Sequence, residues 1–198
     1  MKRIVLASKS ASRAALLAGA RVAFEAVDSG VDEAKLKARL LDEGAGPAKI
    51  AGELAEAKAL AVSLRMPDAI VIGADQTLEL DGLLFDKAAS LSEARERLAS
   101  LRGQRHELHS AVAAAEGGRV VWRVSESPAL TMRDFSDTYL DGYLARNGVT
   151  LLGSVGCYML EGEGAQLFEA IDGDYFAVLG LPLLPLLAFL RREGALTA

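Results

Sequence analysis

The chain has 198 residues, 51% of them hydrophobic, and a formal net charge of −5 at pH 7. That length fills one α/β domain, or one domain with a small lobe, without calling for a second core, so residues 1–198 are expected to form a single domain. The acidic balance argues against nucleic acid as the main partner, because such proteins carry basic patches; a small anionic ligand stays open, since a few local cations and a metal can reverse the sign inside one cleft.

Ile4–Ala7 reads as a first buried strand, and as an apolar stretch it is too short for a secretory signal. Ser10 or Ser12 can cap a helix that runs through Leu16 and Leu17 and stops at Gly19. Arg21–Val27 reads as a second strand. A helix from about Asp32 to Leu41 ends before Gly44-Ala45-Gly46-Pro47. Ile50, Leu54, Ala57, Ala61 and Leu64 then recur at helical spacing and define one buried face. At about 100° per residue Lys58 falls on the rim of that face, where its stem can cover the core and its ammonium can reach a cleft.

Ala69–Ala74 is a continuous apolar run, and Asp75 directly after it reads as a carboxylate at the mouth of a buried strand. In open α/β sheets that is where ligands bind. Asp81-Gly82 between short apolar runs is a hairpin signal, and Gly117-Gly118 between Leu108–Ala115 and Arg119–Arg123 suggests another. Between them, Ser92 is expected to start a helix through Leu98 and Leu101, closed by Gly103. On a strand, the spacing of three sends His106 and His109 to opposite faces, so a shared metal site is not expected and both read as structural.

Ser136 is a good cap for a helix through Tyr143. Cys157, the only cysteine, excludes an intrachain disulfide, fits a reducing cytoplasm, and reads as a small buried apolar residue rather than a catalytic thiol. Strand-like pieces around Tyr158, Phe168 and Phe176 lead to a last helix from about Leu183 to Arg192. The apolar stretch 178–190, interrupted by Pro182 and Pro185, is too short to span a bilayer, so no membrane partner is expected. Strand–helix alternation with hairpins mixed in points to an α/β fold with a mixed sheet.

The chemistry-bearing residues cluster at element ends. Ser8-Lys9-Ser10-Ala11-Ser12-Arg13 follows a strand and opens a helix; hydroxyls, backbone N–H groups and the helix dipole make an anion site there, and Arg13 can clamp a phosphate. No Gly-x-x-x-x-Gly-Lys-Ser/Thr run occurs, so it is not a Walker loop. Asp28, Asp32 and Glu33 read first as acidic caps of the next helix, though a carboxylate among them could join Asp75 in holding a divalent cation, which prefers hard oxygen ligands. Lys58 and Lys87 are ordinary alone. The set of cations, acids and hydroxyls is what points to a phosphate-bearing ligand with a metal ion.

In order along the chain, the segments Leu6-Ala7-Ser8-Lys9-Ser10-Ala11-Ser12-Arg13, Asp32-Glu33, Lys58-Ala59, Gly73-Ala74-Asp75-Gln76, Lys87, Leu101-x-Gly103-x-x-His106, Gly173-Asp174-Tyr175 and Gly180-Leu181-Pro182-Leu183 resemble the Maf-like nucleoside triphosphate pyrophosphatases. The resemblance implies a mixed, elongated, twisted sheet flanked by helices, in two lobes with a central nucleotide cleft. It implies hydrolysis of a nucleoside triphosphate to the monophosphate and pyrophosphate in the cytoplasm, with Mg or Mn as cofactor, and a homodimer. Asp75 would be the catalytic base and, with Glu33, a metal ligand; Ser8, Ser10, Arg13, Lys58 and Lys87 would bind substrate. Ser12, Gln76 and Glu161 match positions associated with base specificity, and Gln76 with Glu161 resembles the subgroup that prefers 7-methyl-GTP. Three positions depart from the family pattern: Ser12 replaces a bulky Trp or Arg, and Ala11 and Ala88 replace prolines. The alternative is a nucleotide-binding regulator of cell division without turnover.

Overall fold

In the computed structural model, which describes residues 2–197, the first apolar run forms β1 (Arg3–Leu6). Ser10 caps α1 (Ala11–Gly19), its Oγ accepting from the Arg13 backbone N–H. The strand expected over 21–27 shrinks to β2 (Glu25–Ala26), because Arg21 adopts a left-handed φ of 54° and turns the chain. Asp32 caps α2 (Glu33–Asp42) by accepting from the Lys35 N–H, and Pro47 opens α3 (Pro47–Ser63).

The buried face of α3 differs from the expected one. Ile50, Ala51, Leu54, Ala55, Lys58, Ala59 and Val62 are buried, whereas Leu64 is exposed. Lys58 therefore sits inside the face, 5% exposed, not on its rim. The longest apolar run also continues further than expected: β3 spans Ala69–Leu80, so Asp75 lies in mid-strand. Asp81 and Gly82, with φ of 51° and 80°, make the tight turn into β4 (Leu83–Phe85).

The helix α4 (Leu91–Leu101) is capped by Ser90 rather than Ser92. β5 (Arg105–Glu116) and β6 (Arg119–Glu126) flank the Gly117-Gly118 turn, and β7 (Ala129–Met132) follows. Ser136 caps α5 (Asp137–Asn147). Of the three late strand-like pieces only one is a strand, β8 (Phe168–Asp172); Tyr158 lies in a loop after Cys157, whose φ is 59°, and Phe176 belongs to the short α6 (Tyr175–Val178). The last helix, α7, is Leu183–Arg192 as expected.

The mixed α/β sheet has eight strands in the order β2-β1-β3-β5-β7-β8, with β4 also on β3 and β6 also on β5. Among the described residues only the β1 pairings, with β2 and β3, are parallel. The two long strands β3 and β5 pair from Val71↔Ala115 to Glu79↔Glu107 and form the spine. On the outer edge of β3, β1 covers 69–72 and β4 covers 78–80, leaving 73–77 without a strand neighbour there. Asp75 sits in that gap.

Packing follows the strand period. One face of the sheet buries Leu6, Ile70, Ile72 and Ala74 against Leu17 of α1 and Leu186, Phe189 and Leu190 of α7. On the opposite face Ala111, Ala113 and Ala115 meet Ala51, Ala55 and Ala59 of α3, small against small, so helix and sheet approach closely. A second core, at the far end of the spine, gathers Leu78, Leu98, Leu101, Leu108, Leu130 and Tyr143. Among the described residues no helix is long and apolar enough to cross a membrane.

The histidines take opposite faces of β5. His109 bonds Glu79 Oε2 and Ser127 Oγ, both at 2.8 Å. His106 is 1% exposed, bonds the Tyr158 hydroxyl at 2.8 Å, and burial pushes its imidazole down to about 4. Its folded pKa lies below the unfolded value, so the unfolded chain binds the extra proton between the two. The associated stability is intact above about pH 6.5 and declines as pH falls towards 4, by about 1.4 kcal/mol per unit at most. Urea unfolding of wild type and His106→Gln across pH 4–7 tests this: wild type is expected to lose ~2–3 kcal/mol more than the variant over that range. Parallel slopes would assign acid lability to other groups.

Candidate active site

The gap on β3 opens into a cleft of about 970 Å³ between the two cores. Because neighbouring strand residues point to opposite faces, Asp75 reaches it from the α3 side and Gln76 from the α1 and α6 side. All ten residues expected to form the site line this cleft: Ser8, Ser10, Ser12, Arg13, Glu33, Lys58, Asp75, Gln76, Lys87 and Glu161.

On the α3 side Gly73 lets the helix lie against the strand, which carries Lys58 over Asp75. Lys58 Nζ stands 2.6 Å from Asp75 Oδ1 and 2.8 Å from Glu33 Oε2. Glu33 comes from the first turn of α2, immediately after its cap Asp32. A buried ammonium needs such pairing, since desolvation would otherwise oppose its charge. The three neighbouring acids thus part company: Asp32 caps, Asp28 pairs with Lys9 at 2.7 Å, and Glu33 alone reaches Lys58.

On the other side Arg13 donates from Nε to Gly180 O at 2.9 Å and from Nη1 to Ala74 O at 2.9 Å and Ser8 Oγ at 3.3 Å. Burial lowers the guanidinium pKa while the charges of Asp75 and Glu33 raise it, and arginine stays a cation throughout. Cations therefore approach the open edge of β3 from both faces. Ser10 is committed as the α1 cap, so its backbone and that of its neighbours carry the helix N-terminal dipole into the cleft. Lys87 and Glu161 are exposed on the far rim.

Gln76 is oriented by its surroundings. Its Nε2 lies 2.7 Å from Ser110 Oγ and 3.0 Å from both Ala177 O and Val178 O. Ser110 gives its own hydrogen to Ala177 O at 2.6 Å, so its oxygen accepts. Three acceptors hold the amide NH2 on that side and put Oε1 on the side of Gly180, where an added Cβ would lie 3.7 Å from it. Gln76 thus offers a ligand an acceptor.

The donor set suits a divalent cation. Two carboxylates, Glu33 and Asp75, converge on one point, and there the Lys58 ammonium already stands as a cation. One or two carboxylates completed by phosphate oxygens and waters is how Mg²⁺ is commonly held. Among the described residues no three acidic, histidine or cysteine side chains cluster, so the remaining donors would come from substrate and solvent. Cys157 is buried and burial raises its thiol pKa, which leaves it an unreactive core residue.

Sequence reasoning passed over Lys37, Asp86 and Ser110. Lys37 stands four residues after Glu33 and so on the same side of α2, a spacing that was legible; Ser110 required the β3–β5 register.

A family model described as Maf-like protein matches residues 3–193. The chain is similar to a nucleoside triphosphate pyrophosphatase of Caulobacter vibrioides, with 58% identity over 194 residues, 98% of this chain and 97% of the relative. A nucleoside triphosphate pyrophosphatase of Maricaulis maris is 50% identical over 99% of both chains. A 7-methyl-GTP pyrophosphatase of Brucella abortus is 48% identical over 96% of both.

Proposed function

The chain belongs to the Maf-like family, and from that premise we propose that it is a nucleoside triphosphate pyrophosphatase, releasing a nucleoside monophosphate and pyrophosphate. The observation that carries this is Lys58 held between Asp75 and Glu33 at the bottom of a cleft with Arg13 opposite. Cations alone would serve nucleotide binding; a carboxylate beside them at the open strand edge adds a group that can take a proton from water.

Arg13, Lys58 and Lys87 neutralise the triphosphate, and Ser8 with the α1 N-terminus donates hydrogen bonds to it. Asp75 accepts the proton of a water whose oxygen bonds to the α-phosphorus; the bond to the α–β bridging oxygen breaks, and its electron pair leaves with pyrophosphate. Charge builds on phosphoryl oxygens during this exchange, so positioning and electrostatics dominate the rate enhancement. Glu33 and Asp75 would hold the divalent metal, Mg or Mn, which when bound supplies further neutralisation of that charge.

The finer reading is a modified purine substrate, 7-methyl-GTP. Gln76 Oε1 and the Glu161 carboxylate are both acceptors, and guanine presents adjacent N1–H and N2–H donors. A 7-methylated base also carries positive charge, which a carboxylate favours. The small Ser12 does not supply a stacking partner for that base.

The deciding measurement is pyrophosphate release from 7-methyl-GTP, GTP, UTP, dTTP and CTP, with and without magnesium. The expected order puts the guanine nucleotides first, with activity lost on chelation. Equal rates on UTP would remove the base assignment, and no release from any nucleotide would remove the enzyme.

A further inference from the structure

Lys37 and Asp86 also line the cleft, apart from the Lys58 cluster. Their side chains form an ion pair across the cleft wall, between α2 and the segment that carries Lys87. The pair is lopsided: the Lys37 side chain is 16% exposed and that of Asp86 is 80% exposed. With the Asp86 carboxylate open to water, the pair is screened and contributes little to folding, so the ammonium can change partner at small cost.

Charge in the cleft gives a reason for it to change. Five cationic side chains (Lys9, Arg13, Lys37, Lys58 and Lys87) face four carboxylates (Glu33, Asp75, Asp86 and Glu161). Lys9 is already paired with Asp28, and Lys58 with two acids. A triphosphate brings about four negative charges into a wall that is close to neutral. Glu33 and Lys37 lie one turn apart on α2, so the helix that positions Lys58 through its first residue also carries a second ammonium along the cleft towards Lys87.

We propose that Lys37 is a further triphosphate-binding residue, held by Asp86 in the empty enzyme and handed to the phosphate chain when nucleotide enters. Asp86 then acts as a competing anion that sets affinity. The inference rests on the pyrophosphatase reading, and the two can fail separately.

The test uses the full chain with Lys37→Gln, Lys37→Arg, Asp86→Asn and the Lys37→Gln/Asp86→Asn double variant. Steady-state hydrolysis is read alongside calorimetric binding of inorganic triphosphate. Lys37→Gln is expected to raise KM ~10-fold, equivalent to about 1.4 kcal/mol, with the loss carried mainly by KM; Lys37→Arg is expected to restore most of it. Asp86→Asn is expected to lower KM about threefold, an effect that disappears when Lys37 is absent. A structural strap would behave otherwise: both single variants would raise KM alike. That result, or an unchanged KM in Lys37→Gln, or the same gain from Asp86→Asn with and without Lys37, overturns the proposal. Should wild type hydrolyse no nucleotide, the pyrophosphatase reading falls, while inorganic triphosphate binding still ranks the variants and decides on Lys37.

Discussion

Asp75→Asn is expected to lower kcat by ~100-fold or more while nucleotide still binds, the usual scale for losing one group that acts in the transition state. Asparagine keeps the shape of the side chain and removes its charge and its capacity to take a proton. Lys58 keeps Glu33 at 2.8 Å, so its ammonium is not left buried and alone, and the fold is expected to hold. Arg13, Lys58 and Lys87 remain to bind the triphosphate and Glu33 remains as a carboxylate for the metal, so binding is expected to persist. The measurement is steady-state pyrophosphate release combined with the rise in melting temperature on adding nucleotide. Near-wild-type turnover by a folded variant would withdraw Asp75 as the base. Loss of both binding and turnover would instead assign it to holding Lys58 and the metal.

Asp75 also shows where sequence stops informing. Its importance was legible as an acid after six apolar residues, but its place was not. The expected strand end is mid-strand, because β5 pairs with β3 without a break from Val71 to Glu79 and holds 73–77 extended where local pattern reads as a break. Partners distant in sequence made that choice, and the same holds for α3. Alanines line both sides of the helix, so period alone could not tell Ala57 and Ala61 from Ala55 and Ala59; the alanines of β5 selected the second pair. In contrast, caps, tight turns and the last helix followed local chemistry and came out close to expectation at Ser10, Asp32, Asp81-Gly82, Ser136 and 183–192. The site set itself required the ordered family resemblance, since each residue alone had an ordinary explanation. Lys37 had no such support: its spacing from Glu33 was legible, but its ion pair with Asp86 was not.

Gly73→Ala is expected to be the most destabilising single methyl that can be added near the site. A Cβ there would lie 2.1 Å from Ala55 O, 2.6 Å from Ala59 N and 3.0 Å from Ala59 Cβ. The first two are helix backbone, which cannot rotate aside as a side-chain tip does, so α3 must move off β3. Overpacking of a tight core costs about 1–3 kcal/mol and more where backbone has to shift, so a loss of ~3 kcal/mol or above is expected in urea unfolding. The displacement also acts on chemistry. Lys58 is adjacent to Ala59, and Asp75 is two residues from Gly73 on the same face, so widening this contact separates the 2.6 Å pair. Activity should therefore fall even at temperatures where the variant stays folded. Gly52→Ala supplies the control within the same helix: a Cβ there meets nothing within 4 Å, and alanine is preferred to glycine in a helix interior. That variant is expected to gain ~0.5–1 kcal/mol with activity intact. Opposite signs for the same substitution inside the α3–β3 contact and on the open side of α3 would trace the effect to that approach; equal effects would mean that the approach places no constraint on the site.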